Sequence, residues 1–412
     1  MFRIISNSSF SYSIKFYLLF ILVIINSCTP VIRQIERKSY PIISKNNSIR
    51  VLLDESEQLT LTFDNDLIVI LKNSQIINID KKSILKFSIV DNSIKLEVNR
   101  NKLFSDEFIL APQKDDFNII NGKKYKGNFI ISRERNKLFL INSLYLEDYV
   151  KGVMLKEIPK GNNNVNNEAI KAMAVVIRTY ALNKINESKI LFDTFNDVRD
   201  QVYGGASYED EQINKLVDLT KGKTLFYREE LAKVFYHSTC GGKTENIENV
   251  FSSEPFPYLK SIQDGDINCK ISPKFQWKES FSESLIIKRL KESNYVSGSN
   301  LSLKEINILS RFSSGRVKEL EIVLLENNRL KRISIHSNKI RFVLKNFKGE
   351  ILPSTNFQIE IKNGMYEFIG KGYGHGVGLC QWGAINLSRS GWNYKDILYF
   401  YFPKTEIMKA YD

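Results

Sequence analysis

The sequence predicts an α+β fold, and three features of its apolar pattern support this class. Short alternating apolar runs fill residues 48–140, and two apolar helical segments follow from Leu146. Strands return at about residues 300–368, before a glycine-rich segment and a helix. Alternation is typical of strands, whereas apolar positions three and four residues apart indicate helices. We therefore expect a β-rich N-terminal region, a central helical core, further antiparallel strands and a glycine-rich loop plus helix near the C-terminus.

Residues 1–28 have the features of a targeting segment rather than of a folded domain. Two basic residues precede the apolar run 16–25, which holds no acidic residue and is followed by Asn, Ser and Cys28. The run is too short to span a bilayer comfortably. The pattern resembles a bacterial lipoprotein signal in which Cys28 is acylated, although a plain N-terminal membrane anchor fits the same residues. Either arrangement places the remainder outside the cytoplasm, tethered to a membrane through a polar linker at residues 29–47.

Residues 48–140 are expected to serve as a scaffold. Runs such as IRVLL, LTLTF and LIVIL are separated by Asn, Asp, Lys and Gly, which predicts about six to eight strands. The segment lacks His and Cys. It therefore carries no catalytic pattern.

The segment LEDYVKGVMLKEIP predicts a helix with an acidic residue on its apolar face. Pro159 ends this helix, and Glu157 falls on the same side as the apolar residues, near the C-terminal end. The apolar positions are Leu146, Tyr149, Val150, Val153 and Met154. The helix dipole is negative at that end, and apolar neighbours remove water, so both disfavour the charged carboxylate. We expect a raised pKa for Glu157, which suits a group that donates a proton near neutral pH.

The next segment, NEAIKAMAVVIRTYALNK, is apolar around nearly its whole circumference and predicts a buried helix. Lys171 and Arg178 lie on one stripe of it, although a buried helix rarely carries unpaired cations. One interpretation is that the stripe faces a cleft opposite Glu157. The other is an ion pair of Glu157 or Glu168 with Lys171 or Arg178 that holds the two helices together.

Two further groups of residues are candidates for sugar binding or for ordinary packing. Gln201 and Tyr203 precede the turn Gly204-Gly205, and they suit hydrogen bonding and stacking on sugar. TLFY and AKVFYHS then predict a hairpin whose second strand runs into His237, which is interpreted as a residue lining a cleft or as a structural histidine.

The cysteines beyond Cys28 are Cys240, Cys269 and Cys380. In a compartment that permits disulfides, Cys240 with Cys269 is the expected bridge, which leaves Cys380 as a buried thiol. His237 and Cys240 have the spacing H-x-x-C, but a zinc site needs about four ligands, so zinc is not expected there.

The stretch GKGYGHGVGLCQWGAINLSRSGW is the second landmark of the sequence. Its glycines alternate strictly from 370 to 378 around His375, so the backbone can approach another surface closely. The order G-x-G-x-x-G and the motif GK[ST] are missing, which argues against a phosphate-binding loop. Gln381 and Trp382 then begin a helix.

The net charge of +13 does not by itself indicate a nucleic-acid-binding protein. Lysine is frequent throughout the chain, and no basic run is dense enough to form such a site. A polyanionic surface or an acidic glycan remains compatible with this charge.

Taken in order, LYLEDYVKGVMLKEIP, EAIKAMAVVIRTYAL, QVYGG, STCGG, PYL and GYGHGVGLCQWGA resemble the SpoIID/LytB family of bacterial cell-wall proteins. The family includes stage II sporulation protein D and the amidase enhancers. The resemblance implies a SpoIID-like core at residues 141–412 with a strand-rich insertion at about 300–368. It does not by itself imply a role in sporulation.

The resemblance also implies an activity. The sporulation branch consists of lytic transglycosylases that cleave peptidoglycan between N-acetylmuramic acid and N-acetylglucosamine, preferably on strands stripped of stem peptides by an N-acetylmuramoyl-L-alanine amidase. Its catalytic glutamate corresponds to Glu157. Lys171 and Arg178 match the cations of the second helix and would contact the sugar, while Gln201, Tyr203, His237, His375, Gln381 and Trp382 would line the groove. The alternatives are a non-catalytic glycan-binding lipoprotein that stimulates an amidase, and an ordinary hydrolase.

One departure concerns metal. Some members of the family bind zinc through a His-Cys pair immediately before Gln-Val-Tyr, and here Arg199 and Asp200 occupy those positions. The resemblance therefore implies no cofactor and no metal site there.

Overall fold

The computed structural model describes residues 47–113, 117–187, 191–251, 253–264 and 268–412. The described residues all belong to one compact unit. The predicted signal, its Cys28 and the linker up to residue 46 lie outside them. Among the described residues, no helix is both long and apolar enough to cross a membrane. The α+β class predicted from the sequence is confirmed.

Strands fill the N-terminal part of this unit. They are β1 (Ser48–Ser56), β2 (Gln58–Thr62), β3 (Leu67–Leu71), β4 (Ile76–Ile79), β5 (Ile84–Val90), β6 (Ser93–Val98), β7 (Asn101–Ser105), β8 (Phe108–Pro112), β9 (Asn118–Ile120), β10 (Lys123–Tyr125), β11 (Asn128–Glu134) and β12 (Lys137–Tyr145). Buried side chains alternate along them, as half-buried strands require.

Two sheets from this region pack over a shared apolar core. One has the order β2-β5-β6-β7, and the other contains β1-β12-β11-β8-β3-β4, with the later β13 (Thr194–Phe195) beside β1. Buried residues of both sheets form one cluster, including Phe87, Phe108 and Phe129. This arrangement buries the apolar face of each sheet.

Helices form the centre of the unit. They include α1 (Leu146–Glu157), α2 (Asn167–Asn186), α3 (Glu211–Asp218) and α4 (Glu248–Phe251). Twelve residues of α2 are buried, which explains its nearly continuous apolar sequence. The largest apolar cluster joins α1 and α2 to the C-terminal elements.

The remaining elements include a strand-rich region with its own core. They are β14 (Lys223–Tyr227), β15 (Glu230–Leu231), β16 (Tyr236–His237), β17 (Gln276–Phe281), α5 (Glu283–Glu292), β18 (Leu301–Arg311), β19 (Val317–Glu326), β20 (Arg329–His336), α6 (Lys339–Val343), β21 (Phe357–Lys362), β22 (Met365–Lys371), β23 (Leu379–Cys380), α7 (Gln381–Arg389), α8 (Tyr394–Tyr401) and β24 (Glu406–Lys409). Apolar residues between Phe281 and Phe368 form a separate cluster. The sheets β17-β22-β21 and β18-β19-β20 are antiparallel.

The hairpin predicted at residues 224–238 is only partly correct. β14 pairs with a two-residue β15, and the rest of the second run leaves that sheet. Its end, β16, instead pairs in parallel with β23, placing Tyr236 opposite Leu379 and His237 opposite Cys380. A parallel partner so distant in the chain leaves no signal in the local pattern.

Candidate active site

Glu157 is the last residue of α1, and the chain turns away immediately after it. Ile158 has extended backbone angles and Pro159 follows, so the helix cannot continue. The apolar face predicted for α1 is buried, including Tyr149, Val153 and Met154. Glu157 itself is half-buried. The helix end therefore holds its carboxyl group at the edge of the apolar core.

Three groups surround this carboxyl group. The Val202 backbone N–H donates to Oε1 at 2.9 Å, and the Gln381 amide Nε2 donates to Oε2 at 3.3 Å. The buried Tyr236 hydroxyl faces the same carboxyl without a hydrogen bond of good geometry. Burial is the largest influence and raises the pKa of Glu157, although these neighbours partly oppose it. The carboxyl group can therefore hold a proton at higher pH than an ordinary glutamate.

The side chains of Gln201 and Tyr203, on either side of Val202, fix the position of its backbone N–H. Gln201 is buried, and its Oε1 accepts a hydrogen bond from the Tyr149 hydroxyl at 3.0 Å. Tyr203 is also buried, donates to Asn142 Oδ1 at 2.9 Å and stacks on Tyr149 with ring centroids 5.3 Å apart. Both side chains are thus buried beneath the site, so little of either is exposed to a substrate. Their contact with sugar stays a prediction.

Gly152 lies where α1 crosses Tyr203, and we expect Gly152→Ala to destabilise the protein. A Cβ at this position would lie 2.6 Å from Tyr203 Cε2. Overpacking typically costs about 1–3 kcal/mol, whereas alanine gains up to about 1 kcal/mol in a helix. Urea unfolding should therefore show a net loss of about 1–2 kcal/mol. In the control Gly298→Ala, the new Cβ meets the end of a flexible Glu326 side chain and the loss should be smaller. A Gly152→Ala protein as stable as wild type would contradict this packing.

Two other neighbours of Glu157 come from the parallel ladder of β16 and β23. Tyr236 lies in β16, and Gln381 directly follows Cys380 at the end of β23. The Trp382 backbone N–H donates to Ser238 O at 3.1 Å, which extends the register into α7. The Trp382 ring is half-buried and packs against the central core. The ladder therefore fixes the Tyr236 hydroxyl and the Gln381 amide together.

The alternating glycines of residues 370–378 allow this segment to lie close against β16. Gly374 has φ +116°, and a Cβ there would be 2.8 Å from the Cβ of His237. Gly378 has φ +72°, and its Cβ would be 2.1 Å from the Phe235 carbonyl oxygen. Side chains at either position would both strain the backbone and separate the two segments. The close approach predicted from the glycine pattern is therefore present.

The two histidines of this region lie side by side, His237 buried and His375 half-buried. Their ring centroids are 5.6 Å apart, and His375 Nδ1 accepts the Val377 backbone N–H at 3.0 Å. Burial, followed by the charge of Arg341, lowers the pKa of His375 to about 3. His237 Nδ1 lies 3.1 Å from Val377 O, while its Nε2 is buried without a partner. Both rings are therefore neutral at physiological pH, and His375 also bonds the Tyr236 backbone.

Arg178 is held away from Glu157, at the opposite end of α1. Its guanidinium is fully buried and forms two hydrogen bonds of 2.8 Å with Glu147, in the first turn of the helix. It also donates to Lys223 O at 3.0 Å. The ion-pair interpretation of this cation therefore fits the structure, although the partner is Glu147 rather than either predicted acid. The structure does not bring Arg178 to the candidate site.

Lys171 also has a carboxylate partner on its own helix. Its Nζ lies 2.6 Å from Glu168 Oε1, one turn away. The other oxygen of Glu168 accepts the Tyr394 backbone N–H at 2.8 Å, which links α2 to α8. The pairing of Lys171 with Glu168 is one of the ion pairs considered from the sequence.

Arg199 and Asp200 stand where some members of the family have a zinc-binding His-Cys pair, and here both side chains form ion pairs and hydrogen bonds. Arg199 bonds Asp197, and its guanidinium lies 3.7 Å from the centroid of the Phe195 ring. Asp200 accepts the Tyr180 hydroxyl at 2.7 Å and pairs with Lys184. These side chains serve to order the loop before Gln201.

The expected disulfide between Cys240 and Cys269 is not formed. The two Sγ atoms are 3.4 Å apart, and Cys240, Cys269 and Cys380 are all buried free thiols. A disulfide bond would require about 2.0 Å. His237 is not part of this thiol group.

The family model described as Stage II sporulation protein matches residues 134–227, which contain Glu157 and the segment Gln201–Tyr203. Stage II sporulation protein D of Bacillus subtilis is 27% identical over 286 residues, which cover 66% of this chain and 76% of that protein. An uncharacterized protein of Brachyspira hyodysenteriae is 32% identical over 323 residues, covering 78% of this chain and 81% of that protein. The chain belongs to the SpoIID/LytB family.

Two more comparisons concern the rest of this SpoIID/LytB protein. The amidase enhancer of Bacillus subtilis is 27% identical over 357 residues, covering 77% of this chain but 49% of the enhancer. The chain thus spans about half the length of that relative. A model described as a domain of unknown function, DUF8618, matches residues 263–378, which include most of the strand-rich region.

Sequence reasoning missed two neighbours of Glu157 in this SpoIID/LytB protein. Val202 contributes only its backbone N–H, for which no side chain gives a signal. Tyr236 directly precedes His237, a candidate chosen from the sequence, in the motif YHSTCGG, so this neighbouring position could have suggested Tyr236 as well.

A cavity of about 760 Å³ lies away from the candidate site. It is lined by residues such as Trp277 and Arg311 but not by Glu157.

Proposed function

We propose that this protein is a peptidoglycan lytic transglycosylase that cleaves the bond between N-acetylmuramic acid and N-acetylglucosamine, with Glu157 as general acid and base. The observation that carries the proposal is the half-buried carboxyl group of Glu157, whose pKa burial raises. A carboxyl group that remains protonated near neutral pH can donate a proton to a glycosidic oxygen. Membership of the SpoIID/LytB family supports the same chemistry.

In the proposed reaction, Glu157 serves in two steps. It first protonates the glycosidic oxygen, which leaves with the N-acetylglucosamine unit. As a carboxylate it then accepts the proton of the muramic 6-hydroxyl, whose oxygen closes the 1,6-anhydro ring. The donors from Val202 and Gln381 stabilise the carboxylate formed between the steps, because each bonds one of its oxygens.

The surroundings of Glu157 support chemistry that uses a single acid. Glycosidases that retain or invert configuration need two carboxyl groups about 5–9.5 Å apart. Among the described residues, the hydrogen-bond donors to Glu157 are the Val202 N–H and the Gln381 amide, and neither is a second carboxyl group. A hydroxyl of the substrate as nucleophile removes the need for a second acid.

A second candidate function is that of a non-catalytic amidase enhancer, which the name of one relative favours. In that case the chain would bind glycan and stimulate an N-acetylmuramoyl-L-alanine amidase. Both proposals place the protein in the cell envelope, outside the cytoplasm and anchored through an acylated Cys28.

Product analysis distinguishes the candidates. We expect the full chain, incubated with amidase-treated sacculi, to release glycans with 1,6-anhydromuramic ends, identified by mass spectrometry. Heat-inactivated protein is the control. Reducing muramic ends would instead indicate hydrolysis. Absence of cleavage, combined with faster peptide release when an amidase is added to untreated sacculi, would reject the transglycosylase and support the enhancer.

A further inference from the structure

Beside the candidate active site, three thiols and one carboxylate converge although they come from distant parts of the chain. Cys240 follows β16, Asp264 and Cys269 are five positions apart between α4 and β17, and Cys380 ends β23. The four side chains are buried, and one ligand atom from each lies within 4.8 Å of all the others. We refer to these four residues as the thiol cluster.

We propose that the thiol cluster binds one Zn²⁺ in a closed structural site. Structural zinc is bound tetrahedrally by four protein ligands, with Zn–S near 2.3 Å and Zn–O near 2.0–2.2 Å. The ligands then lie roughly 3.5–3.8 Å from one another. In the thiol cluster, Cys240 Sγ is 3.4 Å from Cys269 Sγ and 2.9 Å from Asp264 Oδ2. Only small shifts separate this arrangement from a tetrahedral zinc site.

Backbone N–H groups point at the sulfur atoms, as expected for metal-bound thiolates. Cys380 Sγ accepts the N–H of Cys240 at 3.2 Å and that of Gly383 at 3.4 Å. Cys240 Sγ accepts the N–H of Gly242 at 3.3 Å. These donors stabilise negative charge on sulfur, and outer contacts of this kind orient and tune metal ligands.

The carboxylate is oriented in the same manner. Asp264 Oδ2 faces the sulfur atoms, whereas Oδ1 accepts the Tyr401 hydroxyl at 2.7 Å and the Asn268 amide at 3.3 Å. This division leaves one oxygen free to bind a metal. A buried carboxylate against three thiols is costly unless a cation compensates its charge. Zn²⁺ would supply that cation.

A disulfide explains the arrangement less completely. A bond between Cys240 and Cys269 would leave the Cys380 thiol and the oriented oxygen of Asp264 without a role. The fully buried guanidinium of Arg316 donates to Cys240 O at 2.7 Å, which adds a positive charge beside a group of anionic ligands. This favours four ligands that act together.

The proposed zinc site would support the candidate active site without touching substrate. Cys380 caps the N-terminus of α7, and Gln381, the next residue, contacts Glu157. Cys240 follows the strand that carries Tyr236. A metal bound to both cysteines would therefore fix two neighbours of Glu157. This location differs from the Arg199 and Asp200 positions considered above, and the proposal departs from the expectation, drawn from the sequence, that the chain binds no zinc.

Metal analysis of the full chain, purified in detergent under reducing conditions, tests the proposal. Elemental mass spectrometry should find one Zn²⁺ per chain. Replacement by Co²⁺ should give the near-ultraviolet charge-transfer absorption of thiolate ligands. Both measurements use wild-type protein, so they do not depend on how a variant folds. We expect Cys380→Ser and Asp264→Asn to lower zinc affinity by at least about tenfold.

Two controls separate metal binding from packing. His237→Gln should keep its zinc, because His237 is not in the cluster. Val377→Ala removes buried apolar atoms nearby and should lower stability while keeping zinc. Metal-free wild-type protein that fails to take up Zn²⁺ would overturn the proposal. So would a Cys240–Cys269 disulfide found in protein purified without reductant, or full zinc content in Cys380→Ser.

Discussion

Glu157→Gln is expected to lower the rate of glycan cleavage by about 10²–10⁴-fold, which is the usual contribution of a general acid and base. Glutamine has the same shape, so it can retain the hydrogen bond from the Val202 N–H, but it cannot transfer the proton. The measurement is the initial rate of release of anhydro ends from amidase-treated glycan strands. Glu211→Gln, which alters an exposed carboxylate on α3, is the matched control and should cleave at the wild-type rate.

Although Glu157→Gln should lower the rate of cleavage, it is not expected to lower the stability of the protein. Burial raises the pKa of Glu157 in the folded protein, so the folded state binds this proton more tightly than the unfolded state. The corresponding stability is present below the unfolded pKa and is lost as pH rises through the folded pKa. Glu157→Gln should therefore be at least as stable as wild type at neutral pH, with less loss of stability on raising the pH.

Cleavage should also depend on pH in wild type, because only protonated Glu157 can donate. Its rate should fall as pH rises through the raised pKa. A Glu157→Gln protein that keeps more than about a tenth of the wild-type rate would reject Glu157 as the acid. An unfolding midpoint well below that of wild type would instead show that the substitution damages the fold.

Arg178→Met is expected to lower the free energy of unfolding by about 3–5 kcal/mol, because it leaves Glu147 without its buried cation. Glu147 would still accept hydrogen bonds from the Tyr411 hydroxyl at 2.5 Å and the Gly222 N–H at 3.2 Å. Because these bonds partly stabilise the carboxylate, we expect a loss of about 3 rather than about 5 kcal/mol. Burial alone would raise the pKa of Glu147, but Arg178 holds it below its ordinary value. This stability is present above the unfolded pKa of Glu147 and is lost as pH falls through the folded pKa.

Urea unfolding at neutral pH measures the loss, and Lys215→Met is the control. Lys215 pairs with Glu211 on an exposed helix face, where removal of one partner changes stability little. Folded Arg178→Met should cleave glycan with an unchanged KM. If its KM rose while its stability stayed at the wild-type value, Arg178 would be a substrate contact rather than a structural ion pair.

The fold class and the position of Glu157 were predictable because both depend on local patterns. Helical spacing of apolar residues and the following Pro159 were enough to place the acid at a buried helix end. Partners of the cations were harder to predict. Arg178 has several acids within reach in sequence, and only the crossing of α1 and α2 selects Glu147.

The thiol cluster could not be predicted for a related reason. Spacing along the chain brings Cys240 and Cys269 to notice as a possible disulfide, but nothing local marks Asp264 or joins Cys380 to them. Those contacts depend on the parallel pairing of β16 with β23. In the same way, Gln201 and Tyr203 have side chains suited to sugar, yet their burial follows from Tyr149 and Asn142.

The pairing of β16 with β23 has a consequence for how this protein can change over evolution. The whole strand-rich region lies between these strands, so it forms a single excursion whose two ends meet at the ladder. Each doubling of such a connection costs only about 0.6 kcal/mol of closure entropy. Insertions and deletions in the strand-rich region should therefore cost little free energy of folding. The condition is that Arg316 keeps its hydrogen bond to Cys240 O, just after β16.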